Sequence, residues 1–170
     1  MHIFKIGREY RKIGIGLGLP FFFIECGIGV SYTPDALLEK LVGEGCSVGS
    51  WIVIKNGLGE VGCGILVDGL KYCKCRVEIE EDGTHKDPLW FPKVDRWLVQ
   101  WRHSNEFNYG ALRPRQDLLI YSSDNIEEFI KETGELPCLK VIIVDDPGSI
   151  WNLVKDHEIR VYRRQDGKEM

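Results

Sequence analysis

The chain has 170 residues, enough for one domain, or a domain with an arm, that buries about two-thirds of its unfolded surface without covalent staples. A net charge of −4 with an ordinary charged fraction excludes a global basic field, so any nucleic-acid partner is met locally. Six scattered cysteines, none in a C-x-x-C pair, exclude a disulfide scaffold and the common zinc spacings, and reduced thiols point to the cytoplasm.

Residues 1–20 alternate basic and apolar side chains and end in Gly-Ile-Gly-Leu-Gly-Leu-Pro, which reads as a basic arm or edge strand with a flexible joint, outside the core. Lys5, Arg8, Arg11 and Lys12 ahead of Ile13 to Ile24 have the outline of an export signal. Glu25, however, stands where a small residue should precede cleavage, and the run is too short and glycine-rich to span a bilayer, so no export and no membrane anchor are expected. Phe21 to Cys26, apolar but for Glu25, is a strand closed by Gly27 and Gly29. Thr33-Pro34-Asp35 opens a helix with Ala36, Leu37, Leu38 and Leu41 as its apolar stripe, ended by Gly43 and Gly45.

From Gly49 to Asp68, two apolar runs, Trp51 to Ile54 and Cys63 to Val67, flank Asn56-Gly57, the strongest short hairpin signal. The pair is expected at the centre of a glycine-rich antiparallel sheet. Gly57-x-Gly59-x-x-Gly62 also has the spacing of a dinucleotide fingerprint, but that motif needs a following helix to receive the pyrophosphate. The β-branched run after Gly64 favours a strand, and hence the hairpin. Tyr72 to Glu80 continues as a third alternating strand, with Cys73 and Cys75 sharing a face as small hydrophobes. Glu78, Glu80 and Glu81 then lie on a solvated face, in preference to a nuclease-like acidic cluster.

His85 to Val94 is a loop containing Trp90-Phe91-Pro92, and Arg96 to Arg102 is a strand with Trp97, Val99 and Trp101 on one face and Leu98 and Gln100 on the other. Ser104 to Pro114 is a polar loop before a short strand, Leu118 to Tyr121. Asp124 caps a helix through Ile126, Phe129 and Ile130 that stops at Gly134, and Leu139 to Val144 is a buried strand. Asp146 caps a last helix from Pro147, Ile159 to Tyr162 closes the fold, and residues 165–170 form a polar tail. Leu139 to Asp146 resembles the metal-binding strand of a P-loop ATPase, but no G-x-x-x-x-G-K-[ST] loop accompanies it. The four histidines fall in no nucleophile or metal motif, so no catalytic residue, metal ligand or cofactor is expected.

Charge is unevenly spread. Lys93, Arg96, Arg102, Arg113 and Arg115 surround the Trp90 and Trp97 segment against Asp95 and Glu106, whereas Asp117 to Glu158 sets three lysines against ten carboxylates. Aromatic residues interleaved with arginines suit stacking on a base while neighbouring phosphates are neutralised.

The order Phe21-Phe22-Phe23-Ile24-Glu25-Cys26, a Tyr32 loop, Trp51-Ile-Val-Ile-x6-Val-Gly-Cys-Gly-Ile-Leu-Val, then Trp90-x6-Trp97-Leu-Val-Gln-Trp101 resembles the PUA-like superfamily, closest to its EVE and YTH branches. The likeness covers about Phe21 to Tyr121 and implies an α+β fold, a small, mostly antiparallel β-barrel with flanking helices, over residues 21–164. It implies an aromatic cage for a modified or flipped base, with Trp90, Trp97 and Tyr32 as walls, although the usual tryptophan of the Tyr32 loop is missing. Lys93, Arg96, Arg102, Arg113 and Arg115 become the phosphate contacts. The added helix and strand unit is similar to the target-reading domains of McrB-type restriction proteins, which implies further domains or subunits. The expectation is a non-catalytic reader of a modified base, in DNA before RNA; an RNA reader and a small-molecule metabolic enzyme are the alternatives.

Overall fold

The computed structural model describes residues 1–12, 19–82, 88–101, 116–120 and 125–169. The eight strands are β1 (His2–Lys12), β2 (Leu19–Ser31), β3 (Trp51–Lys55), β4 (Arg76–Glu81), β5 (Arg96–Gln100), β6 (Gln116–Ile120), β7 (Lys140–Val144) and β8 (Ile159–Glu169). Helices α1 (Pro34–Gly43), α2 (Cys63–Tyr72), α3 (Ile126–Thr133) and α4 (Trp151–Val154) follow β2, β3, β6 and β7.

The strands close into one barrel in sequence order. Each neighbouring pair from β2 to β8 is parallel, and only β1 is antiparallel, to β2 on one side and β8 on the other. This overturns the mostly antiparallel PUA-like barrel: the sheet is mixed and mostly parallel, although the α+β character holds. Strand, helix, strand connections impose parallel pairing, because the helix carries the chain back to the starting end of the sheet.

The expected hairpin is where the two architectures part. Asn56 does adopt the left-handed conformation, at φ 57°, but the second apolar run is the first half of α2 and not a returning strand. Its buried residues are Cys63, Leu66, Val67 and Leu70, whereas Ile65 is 65% exposed. That is helical spacing of i, i+3, i+4 and i+7, which a five-residue window cannot separate from a buried strand. A helix therefore does follow the glycine triplet, but Gly57 and Gly62 serve packing. A Cβ on Gly57 would come within 2.6 Å of the Ile54 side chain and 3.1 Å of the Cys63 sulfur, and one on Gly62 would meet Pro34 and Met1. Tyr72 likewise ends α2 instead of opening a strand, and β4 begins after a turn in which Lys74 is left-handed.

Four apolar clusters result among the described residues. Outside the barrel, Phe22, Ile24, Ile52, Ile54, Val77, Ile79 and Trp97 pack under α1 and α2. Trp101, Leu118, Ile120, Ile142 and Val144 pack with the α3 residues Ile126 and Phe129. The alternate residues of the same strands make two smaller clusters: Phe21, Phe23, Val53 and Trp51 in one, and Leu98, Leu139, Val141, Ile143 and Tyr162 in the other. Residues 1–12, within the stretch read as a basic arm or edge strand outside the core, form a strand that is paired on both sides and closes the barrel, with Ile3 and Ile6 buried, and residues 165–169 belong to β8. No helix among the described residues is long and apolar enough to cross a membrane.

The assignment of α2 makes a direct prediction, because a returning strand would put Ile65 and Val67 on one face. Leu66→Ala is expected to cost about 2–5 kcal/mol in denaturant unfolding, whereas Ile65→Ala changes stability by less than about 0.5 kcal/mol.

Candidate functional site

Strands β1 and β4 place charged side chains where a parallel barrel ordinarily stacks branched apolar ones. Glu9, Arg11, Glu78 and Glu80 are all buried, the last two being the glutamates expected on a solvated face. Val77 and Ile79 take the outer, helix-covered face of β4, so the intervening glutamates must point inward. Glu81, also expected in solvent, is buried as well.

Arg11 compensates these carboxylates. Its Nε and Nη2 donate to Glu9 Oε1 at 2.9 and 2.5 Å, Nη1 donates to Glu78 Oε1 at 2.6 Å, and Nη2 donates to Glu80 Oε1 at 2.9 Å. The guanidinium also lies over the Phe21 ring, 4.5 Å from its centroid. An arginine from β1 thus reaches past two intervening strands to β4. Arg96 completes Glu78 from the other side at 3.3 Å, and donates to the Tyr162 hydroxyl at 3.3 Å. Arg11, Arg96 and Lys55 therefore face Glu9, Glu78 and Glu80, three cations to three carboxylates.

Lys55, like Arg96, is partly exposed. Lys55 is the last residue of β3, its side chain is 14% exposed, and its ammonium stands 3.5 Å from Glu9 Oε2 and 3.9 Å from Glu80 Oε2. The same ammonium sits over the Phe23 ring at 4.9 Å, with Lys5 approaching that ring at 5.9 Å. The register aligns Lys5, Glu25, Lys55 and Glu80 across four adjacent strands. Lys55 and Glu80 lie at the carboxyl ends of β3 and β4, and Glu25 midway along β2. At the opposite end Trp51 stacks on Phe21 at 5.6 Å, with Arg76 over its ring.

Asp117, near the start of β6, accepts from the Leu139 N–H at 3.1 Å. Burial pushes its carboxyl above the ordinary carboxylate range, against the opposing pull of that hydrogen bond and of Arg96 and Arg160.

The residues expected to read a base are placed differently. Trp90 and Trp97 stack on each other with centroids 5.9 Å apart, and Phe91 stacks on Trp97 at 4.6 Å. Trp97 is buried in the cluster under α1 and α2, and Trp90 and Tyr32 are partly buried against that cluster. Lys93 pairs with Asp68 at the surface, and Arg96 points into the barrel toward Glu78. Arg102, Arg113 and Arg115 lie outside the described residues. Cys73 and Cys75 do not share a face, since Cys73 is exposed in the turn before β4 and Cys75 is buried. No group of three or more histidine, cysteine or carboxylate ligands among the described residues is arranged to hold a metal ion.

Glu9, Arg11, Lys55, Glu78 and Glu80 escape a reading of β-strand alternation alone. The available signal was charge at i and i+2 in two segments, Glu9-x-Arg11 and Glu78-x-Glu80, which becomes informative only once both faces of the sheet are known to be covered. Neither the known protein families nor the curated proteins give a match to this chain.

Two outcomes test the charge arrangement. Arg11→Met leaves three buried carboxylates short of a cation and is expected to destabilise by about 3–5 kcal/mol in urea unfolding. For Asp117 the folded protein holds its proton more tightly than the unfolded chain, so the carboxyl weakens the fold as pH rises from about 3.8 through the raised value. Asp117→Asn is therefore expected to be more stable than the parent at neutral pH, with the difference vanishing below the ordinary carboxylate range.

Proposed function

We propose that the protein is an acid–base enzyme acting on a compact, polar small molecule held at the carboxyl ends of the barrel strands, over Lys55, Glu80 and Glu9. The observation that carries this reading is the partly exposed Lys55 ammonium set between two carboxylates, above a buried network. Glu9 and Glu80 would accept or return a proton, and the ammonium would hold the negative charge of a bound group. Burying this many charges costs several kcal/mol per ion before pairing, and a wholly apolar lumen would avoid that cost.

Fold-level analogy lends further support. Parallel barrels of strands and helices carry their active sites at the carboxyl ends of the strands. The connections 82–95 and 101–115 follow the carboxyl ends of β4 and β5.

Reading of a modified base in DNA or RNA requires Trp90 to leave its stack on Trp97 and Arg96 to leave Glu78, so it stands as the alternative outcome of one experiment. Thermal-shift and NMR titrations would compare amino acids, hydroxy acids, sugars and nucleosides with matched DNA and RNA oligonucleotides at fixed salt. A small polar ligand is expected to bind, and Lys55→Met to weaken it by about tenfold or more, the loss of one charged hydrogen bond. Oligonucleotide binding that depends on Trp90, with no small-molecule affinity, would overturn the proposal.

A further inference from the structure

At the amino-terminal face of the barrel, away from Lys55, two cysteines meet. Cys46 lies in the connection from α1 to β3 and Cys75 immediately before β4, and their sulfurs are 3.6 Å apart. Both are buried, with 8% and 3% of their surface exposed. We propose that Cys46 and Cys75 form a reversible disulfide when the protein meets a hydroperoxide, which makes this face of the barrel a redox modification site.

The backbone holds the two segments in place for the bond. The Gly49 N–H donates to the Lys74 carbonyl at 3.0 Å, the Arg76 N–H to Ser50 at 2.9 Å, and the Cys46 N–H to Leu41 at 2.9 Å. The sulfurs need only close from contact distance to the ~2.0 Å of a disulfide. No other pair of thiols among the described residues has a contact of this kind, and Cys73, close enough to act on both charges, sits exposed in the turn beside them. Burial raises the Cys46 thiol and pushes the Cys75 thiol up to about 12, so both thiol exchange and the peroxide reaction are slow at neutral pH and speed up as pH rises.

The reaction balances with hydrogen peroxide as oxidant. The Cys46 sulfur attacks one peroxide oxygen, the O–O bond breaks, and the departing hydroxide takes the Cys46 proton as water, leaving a sulfenic acid. The Cys75 sulfur then attacks the Cys46 sulfur, the S–O bond breaks, and the second hydroxide leaves with the Cys75 proton. Two thiols are oxidised to one disulfide, and one peroxide is reduced to two waters.

The test uses the full chain carrying Cys73→Ser, which removes the exposed competitor. Folded protein would be treated with hydrogen peroxide, denatured, alkylated and mapped by peptide mass spectrometry, without and with dithiothreitol. The expected result is loss of both the Cys46 and Cys75 thiols into a single linked peptide, reversed by dithiothreitol, and no loss at Cys75 once Cys46→Ser is added. Peptide mapping of the parent chain gives the same readout should a variant fail to fold. Cys46 and Cys75 that remain alkylatable, link to other cysteines, or go on to sulfinic acid without a linked peptide would overturn the inference.

Discussion

Everything in this barrel depends on how Arg11 satisfies two carboxylates from a strand that does not touch its own. Glu78 and Glu80 belong to β4, Arg11 to β1, and the guanidinium closes the gap with all three nitrogens engaged. A lone buried carboxylate would take up a proton or drag water inside. With Arg11, Arg96 and Lys55 present, the glutamates stay paired and the lumen needs no apolar filling between its two small clusters. Pairing of this kind contributes little net stability compared with a well-packed apolar core, but it discriminates strongly against any register that separates the partners.

The elements were legible to different degrees, for physical reasons. Strands Phe21 to Cys26, Arg96 onward and Leu139 to Val144, and the helix capped at Thr33, are where local signals are self-sufficient, and the Thr33 hydroxyl does accept from the Ala36 N–H. The alternation of Trp97 and Trp101 against Leu98 was also read correctly, because period two holds whatever the neighbouring strands do. Cys63 to Val67 misled because a five-residue apolar run carries no usable period, and the helical signal needs Leu70, two turns on.

The candidate site was the least legible part. Charged residues in a strand are read as a wetted face, and in a sheet open on one side that reading would hold. Here the second face of β4 is the inside of a closed barrel, a property of all eight strands together that no window on β4 contains. The aromatic residues show the converse. Trp90 stood out because its loop offered nothing to cover it, yet Gly64 on α2 leaves room for its indole, and any Cβ there would fall within 2.6 Å of the ring. A small residue on one element and a large one on another, far apart in sequence, made a packing pair that only the tertiary structure reveals.

The antiparallel placement of β1 also has a consequence for how the molecule is assembled. Its partners are β2, next in the chain, and β8, which is last. Synthesis therefore delivers the closing strand well before its second neighbour, with the other six strands made in between. The contacts that seal the ring have nearly the largest sequence separation the chain allows, which sets a long loop closure against the final step of folding. Until β8 arrives, one edge of β1 is an unpaired strand bearing the guanidinium on which β4 depends. An incomplete chain would then hold a parallel sheet with open edges, the kind of surface that recruits other strands. The charges on β1 that serve the finished lumen would also keep that early edge soluble while it waits.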